Sequence, residues 1–187
     1  MPRVIILNGI SSSGKSSLAK AIQRHSASTV LHVEMDAFIS FLPDGHELRP
    51  EWFRLDEIEV KKRKVPRITN GERGTKLLKA MRNFVVEGAR SGFDLVVDEV
   101  CEAPDMAEYR RALDGYDLRV IKVFAPLELI ESRERDRGDR LIGLARGQAE
   151  YLHRGIAYDH EIDTGSAGPD ELARKLLDRL HGQLDYS

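Results

Sequence analysis

Eight consecutive residues, Gly9-Ile10-Ser11-Ser12-Ser13-Gly14-Lys15-Ser16, match G-x-x-x-x-G-K-[ST] at every fixed position. The chemistry such a pattern serves is the grip on a polyphosphate. Its glycines let the backbone wrap closely around the anion, with N–H groups turned inward. A helix that begins at the lysine adds the partial positive charge of its N-terminus. Lys15 brings a full charge to the β- and γ-phosphates, and the Ser16 hydroxyl is placed to ligate Mg²⁺. Gly9, Ser11, Ser12, Ser13, Gly14, Lys15, Ser16 and Ser17 are therefore the expected nucleotide-binding residues, with ATP and Mg²⁺ as the expected cofactors.

A bound nucleotide needs a metal, and Mg²⁺ takes oxygen ligands. Asp98 ends the apolar run Asp94-Leu95-Val96-Val97-Asp98. In open α/β sheets ligands sit beyond the C-terminal ends of the strands. Asp98 is thus a candidate to position the metal beside Ser16, directly or through water; the other reading is an acid leaving a strand for solvent. Asp36 follows Leu31–Met35 and faces the same edge. A carboxylate there can take the proton of a hydroxyl that attacks the γ-phosphate, or can cap a helix over Ala37–Phe41. Position alone leaves both readings open.

Arginines cluster further on. Arg133 and Arg137 are four residues apart on one helix, where like charges repel unless an anion lies between them. A transferring phosphoryl group is such an anion, so both are candidates for catalysis along with Lys15 and Asp36. The alternative is a charged surface helix in which Glu134 and Asp136 dilute the charge. Arg135, four residues from both Glu131 and Asp139, and Arg140, four from Asp136, read as solvated helix pairs.

The elements that must position these groups alternate. Strand-like runs fall at Val4–Leu7, Thr29–Glu34, Asp94–Asp98, Leu118–Phe124 and His160–Asp163, with helix-like stretches between them. That order argues for an α/β fold, a parallel sheet with helices on both faces. Leu18, Ala21 and Ile22 recur at helical spacing after the glycine loop. Lys76–Ala89 carries Leu77, Leu78, Met81, Phe84 and Val85 on one face, and Gly92 follows as a stop. Pro126 and Pro169 suit the first turns of two later helices, the last with the stripe Leu172, Leu176, Leu177 and Leu180. Phe41–Thr75, with three prolines and three glycines, reads as a long irregular insertion. Its basic run Lys61, Lys62, Arg63, Lys64 and Arg67 reads as a solvated loop or as a recruiter of an anionic substrate. Trp52 and Phe53 read as lining for an apolar pocket or as core anchors. Residues 136–142 form a charged hinge between helices.

The 187 residues suffice for one α/β domain over 1–187. A net charge of −2 gives no argument for nucleic-acid or membrane affinity. No apolar run approaches the roughly 20 residues that span a bilayer. The start Met1-Pro2-Arg3 leads straight into a strand, leaving no room for a signal peptide. Cys101 is the single cysteine, which excludes an internal disulfide. Together these features predict a cytoplasmic enzyme.

The chain resembles the chloramphenicol phosphotransferase family of P-loop kinases. The resemblance runs through Ile5–Gly9, Ser11–Ser16, Asp36 and Val97-Asp98-Glu99-Val100. It continues in Arg133, Arg137-Gly138-Asp139-Arg140, Gly143, Ala145, Gln148 and the stretch His153–Thr164. It implies a five-stranded parallel sheet like that of nucleotide kinases, with an insertion over 38–75 that meets the substrate and a lid over 133–147. It implies ATP-dependent phosphorylation of a hydroxyl on a small molecule, an antibiotic among the candidates. On this resemblance Asp36 is the general base, Lys15 and Ser16 meet phosphate and Mg²⁺, and Arg133 and Arg137 lie on the phosphate side of the lid. A nucleoside, nucleotide or other metabolite kinase, a phosphorylating toxin and a non-enzymatic nucleotide-binding module are the competing readings. The Asp-x-x-Gly and Asn-Lys-x-Asp sequences of a GTPase switch do not occur.

Overall fold

The computed structural model describes residues 2–60, 62–138 and 141–182; the side chains of Arg137 and His181 lie outside that description. In chain order the elements begin β1 (Arg3–Asn8), α1 (Lys15–His25), β2 (Val30–Glu34), α2 (Met35–Ile39), β3 (Phe53–Val60), β4 (Arg63–Asn70) and α3 (Glu72–Arg90). They continue β5 (Asp94–Glu99), α4 (Ala103–Ala112), β6 (Asp117–Phe124), α5 (Leu127–Arg137), α6 (Leu144–Ala149), β7 (His160–Asp163) and α7 (Pro169–Gly182).

Five strands make one parallel sheet in the order β2-β5-β1-β6-β7. Each was expected from its apolar run, to within a residue at either end. The central strand β1 is apolar on both faces because both faces are covered. Alternation sends Ile5 and Leu7 to one layer, with Leu18 and Ile22 of α1 and Leu172 and Leu176 of α7. Val4 and Ile6 go to the other, with Met81 and Val85 of α3 and Met106 and Tyr109 of α4. A smaller cluster of Ile10, Ala125, Ile130, Ala145 and Leu152 seats α5 and α6 beyond the sheet's C-terminal edge. No helix of the described residues is long and apolar enough to cross a membrane.

The structure departs from the sequence expectation in two places. Residues 53–70 are not irregular. They form an antiparallel hairpin, β3 against β4, with Val60 opposite Arg63 at the turn and Leu55 opposite Ile68 midway. The hairpin's ends close on one another, since the Gly71 N–H donates to the Trp52 carbonyl at 2.7 Å and the Arg73 N–H to Glu51 at 2.9 Å. Helix α3 then starts at Glu72, ahead of the expected Lys76. Its buried face is also turned from the expected one. Leu78, Met81 and Val85 are buried, whereas Phe84 is half exposed, with its ring 5.9 Å from that of Phe38 between centroids.

Candidate active site

The site is built where β1, β2 and β5 end. Register places Leu7 and Glu34 on either side of Asp98. The loop after β1, the turn into α2 and the carboxylate of Asp98 therefore share one edge of the sheet. In the loop, Gly14 holds φ 92°, a left-handed value that a side chain resists, and α1 begins at the next residue.

Lys15 and Asp98 are both nearly buried, 3.8 Å apart. The Lys15 ammonium also donates to the Ile10 carbonyl at 3.1 Å. The Ser16 hydroxyl donates to Asp98 Oδ2 at 2.5 Å. Serine hydroxyl and carboxylate thus stand side by side, an oxygen pair of the kind Mg²⁺ takes when substrate phosphates complete its shell. The hydroxyls of Ser12 and Ser13 are buried with no hydrogen-bond partner. Buried polar groups are rarely left so, and these two lie in a glycine loop at a helix N-terminus. The residues present fit a bound nucleotide with its metal.

Asp36 stands in the first turn of α2, half-buried, two residues past Glu34 and hence at the edge that Asp98 occupies. Arg133 is held differently from the expectation for a cation facing phosphate. Its guanidinium donates to the Thr164 hydroxyl and carbonyl, both at 2.9 Å. The Thr164 hydroxyl donates in turn to the Ser13 carbonyl at 2.7 Å. Arg133 therefore braces the back of the loop through Thr164. Glu131 pairs with Arg146 at 2.6 Å. The side chain of Arg137, and Asp139 and Arg140, lie outside the described residues.

Several supporting groups could not be read from local pattern. Glu134, at 1 % exposure, accepts the N–H groups of Gly143 and Ala145 and so caps α6 from α5. Gln148 on α6 accepts the Ser11 N–H at 2.6 Å. Asn8, last residue of β1, joins Cys101 and the Tyr158 hydroxyl, which lies 2.6 Å from His153 Nδ1. Burial pushes Tyr158 up to about 12 and, helped by Lys122, His153 down to about 4. Asn8, a polar residue closing the apolar run Val4–Leu7, was the one local hint of this network.

Glu99 follows Asp98 but points to the opposite face, where it accepts from Arg82 at 2.9 Å and from the Tyr109 hydroxyl at 2.8 Å. Burial raises its carboxyl to about 7 in spite of the Arg82 charge. This is a buried brace tying α3 and α4 to β5. The basic run lies at the hairpin's turn, with Lys64 exposed and 3.5 Å from Glu57; Lys61 lies outside the described residues. Arg67 instead faces inward over the Tyr151 ring at 4.3 Å. Phe53 is buried, and Trp52 lines an open depression of about 510 Å³ with Arg73 and Leu77, to which no loop residue contributes.

The fold described here occurs in solved kinases. An APS kinase from Mycobacterium tuberculosis, in complex with AMPPNP and APS, superposes with a TM-score of 0.66 at 16 % identity, over 96 % of this chain and 98 % of that one. A gluconokinase from Sinorhizobium meliloti gives 0.63 at 19 %, over 97 % and 93 %. Shikimate kinase from Aquifex aeolicus gives 0.61 at 14 %, over 98 % and 99 %. At such identities the likeness is one of fold. In sequence, the chain is 30 % identical over 180 residues to a Mycobacterium tuberculosis protein named "Putative O-phosphotransferase", covering 93 % of this chain and 80 % of that one. Residues 2–181 match the chloramphenicol phosphotransferase-like protein family. With that match along nearly its whole length, and the phosphate loop, Asp36 and Asp98 at one sheet edge, the chain belongs to the chloramphenicol phosphotransferase-like family.

Proposed function

We propose that the protein is an ATP-dependent phosphotransferase that delivers the γ-phosphoryl group of ATP to a hydroxyl of a small molecule. One observation carries the reading: Lys15 and the Ser16–Asp98 pair meet at the C-terminal edge of β1 and β5, and the helix turn that carries Asp36 starts at the end of the neighbouring β2. The loop amides and Lys15 would hold the polyphosphate, and Ser16 with Asp98 would hold Mg²⁺. The metal supplies charge neutralisation on the phosphate oxygens. Asp36 takes the proton of the acceptor hydroxyl as its oxygen bonds to the γ-phosphorus. The bond to the bridging oxygen breaks, and ADP departs with the electron pair. Positioning and electrostatics do most of the work in such a transfer.

Residues 38–75, beginning just past Asp36, form the acceptor side, and residues 133–147 form the lid. The test is a screen for ADP release over hydroxyl-bearing antibiotics, nucleosides and sugars, with phosphorylated products identified by mass. An acceptor-dependent signal is expected. With that acceptor, Asp36→Asn should lower kcat by about 10²–10⁴ at near-normal ATP affinity. A collapse of ATP affinity with kcat intact would assign Asp36 to the nucleotide and not to the proton.

A further inference from the structure

Helix α6 touches both sides of the site through adjacent residues. Gly147 meets the hairpin, where a Cβ would stand 2.8 Å from the Pro66 carbonyl oxygen and 3.3 Å from Val65 Cγ2. Only a glycine lets helix and strand approach so closely. Val65 is buried at this contact, and the Glu134 cap fixes the N-terminal end of α6. Gln148, at 6 % exposure, faces the phosphate loop and accepts the Ser11 N–H.

That N–H belongs to the peptide unit joining Ile10 to Ser11. The carbonyl of the same unit, Ile10 C=O, accepts the Lys15 ammonium at 3.1 Å. A peptide unit is planar and turns as one body. Rotating its N–H away from Gln148 therefore rotates its carbonyl away from Lys15. The carbonyl also accepts the Ser13 N–H at 3.2 Å, so the peptide is set by the loop's own turn, by Gln148 on its N–H and by Lys15 on its carbonyl, with a helix residue at one end and the loop's lysine at the other.

We propose that Gln148 is a positioning residue for Lys15, acting through the Ile10–Ser11 peptide, and that hairpin docking on α6 sets where Gln148 stands. The acceptor side is thereby linked to the nucleotide side by Val65, Gly147, Gln148 and one peptide plane. Holding the loop in its binding shape lowers the ordering cost of binding a nucleotide. This inference rests on the nucleotide-binding reading of the loop.

The experiment is a calorimetric titration of the full chain with AMP-PNP and Mg²⁺. Gln148→Met keeps the side chain's length and apolar packing and removes the acceptor. It should weaken AMP-PNP by about tenfold while the chain still unfolds cooperatively, with a thermal midpoint lowered by the Ser11 N–H left unpaired. Val65→Ala, on the hairpin and away from the loop, should weaken it by about threefold, since contacting groups couple energetically. The double variant should bind no worse than Gln148→Met alone, because the route from Val65 is already cut. Wild-type affinity in Gln148→Met, or losses that multiply in the double variant, would overturn the proposal and leave the nucleotide reading standing. Should Gln148→Met not fold, Val65→Ala decides: undiminished affinity there overturns it. Absence of AMP-PNP binding by the wild-type chain would instead remove the nucleotide reading itself.

Discussion

Asn8 and Cys101 clasp each other in both directions: Asn8 Nδ2 donates to the Cys101 carbonyl and the Cys101 N–H donates to Asn8 Oδ1, each at 2.9 Å. The clasp ties the exit of β1 to the exit of β5, which fixes the start of the phosphate loop against Asp98. Both residues are fully buried. Asn8→Asp keeps the acceptor but sets a carboxylate oxygen against a carbonyl. Stability should fall by about 2 kcal/mol or more, from the lost donor and the added buried charge. Chemical denaturation measures this, and a change within ±0.5 kcal/mol would mean that the clasp carries no stability.

Ser16 and Asp98 should control metal dependence. Asp98→Asn retains an oxygen to accept the Ser16 hydroxyl and loses only the charge. The Mg²⁺ concentration for half-maximal ADP release should rise by about 10–100-fold, the range for groups that orient or tune a metal site. An unshifted Mg²⁺ curve would place Asp98 outside the metal's reach.

Arg133 supports the loop through Thr164, so its removal should resemble the removal of the Thr164 hydroxyl. Arg133→Ala and Thr164→Val are both expected to raise KM for ATP several-fold with the smaller effect on kcat. A cation acting on the transition state would show the opposite split. Steady-state kinetics in ATP separates the two, and a kcat-only loss in Arg133→Ala alone would return the arginine to the phosphoryl group.

His153 predicts an acid limit. Its folded pKa is depressed to about 4, chiefly by burial, below the ordinary value of 6.5. Between those values the unfolded chain binds the proton that the fold refuses, so stability falls as pH drops from 6.5 toward 4. His153→Gln, which still reaches Tyr158 without titrating, should lose less stability over that window. Urea unfolding at pH 7.5 and pH 5.0 on both chains tests it, and equal losses would show that His153 is not the sensor.

The sheet was legible because its strands are short buried runs, and a strand covered on both faces leaves a continuous apolar signature. The loop was legible as a motif because its fixed residues, from Gly9 to Ser16, are contiguous in the chain. The hairpin was not. Neither strand keeps an apolar alternation, since Asp56-Glu57 interrupts one and Pro66-Arg67 the other, and its turn lacks glycine or asparagine. Lys62 takes φ 64° there, a left-handed value normally signalled by those residues. Spacing singled out Arg133 as a cation for a phosphoryl group, whereas its partner in the structure, Thr164, is 31 residues away and outside any local pattern. Gln148 and Ser11 are separated by 137 residues, and nothing in local pattern links them. Phe84 was misplaced for a related reason: a helix's apolar stripe shows which residues prefer burial, whereas the neighbouring helix decides which receive it.

The hairpin leaves the chain at Trp52 and rejoins it at Gly71, and those two residues are hydrogen-bonded to each other. A segment whose ends meet is a detachable module. Its length and side chains can be exchanged without pulling on the sheet, because closing a longer loop between the same two points costs only about 0.6 kcal/mol per doubling. Residues 53–70 are accordingly a natural grafting point. A hairpin transplanted from a relative between Trp52 and Gly71 should fold on this scaffold if it keeps a small apolar contact for Gly147, and under the proposed role of residues 38–75 it would carry its acceptor preference with it.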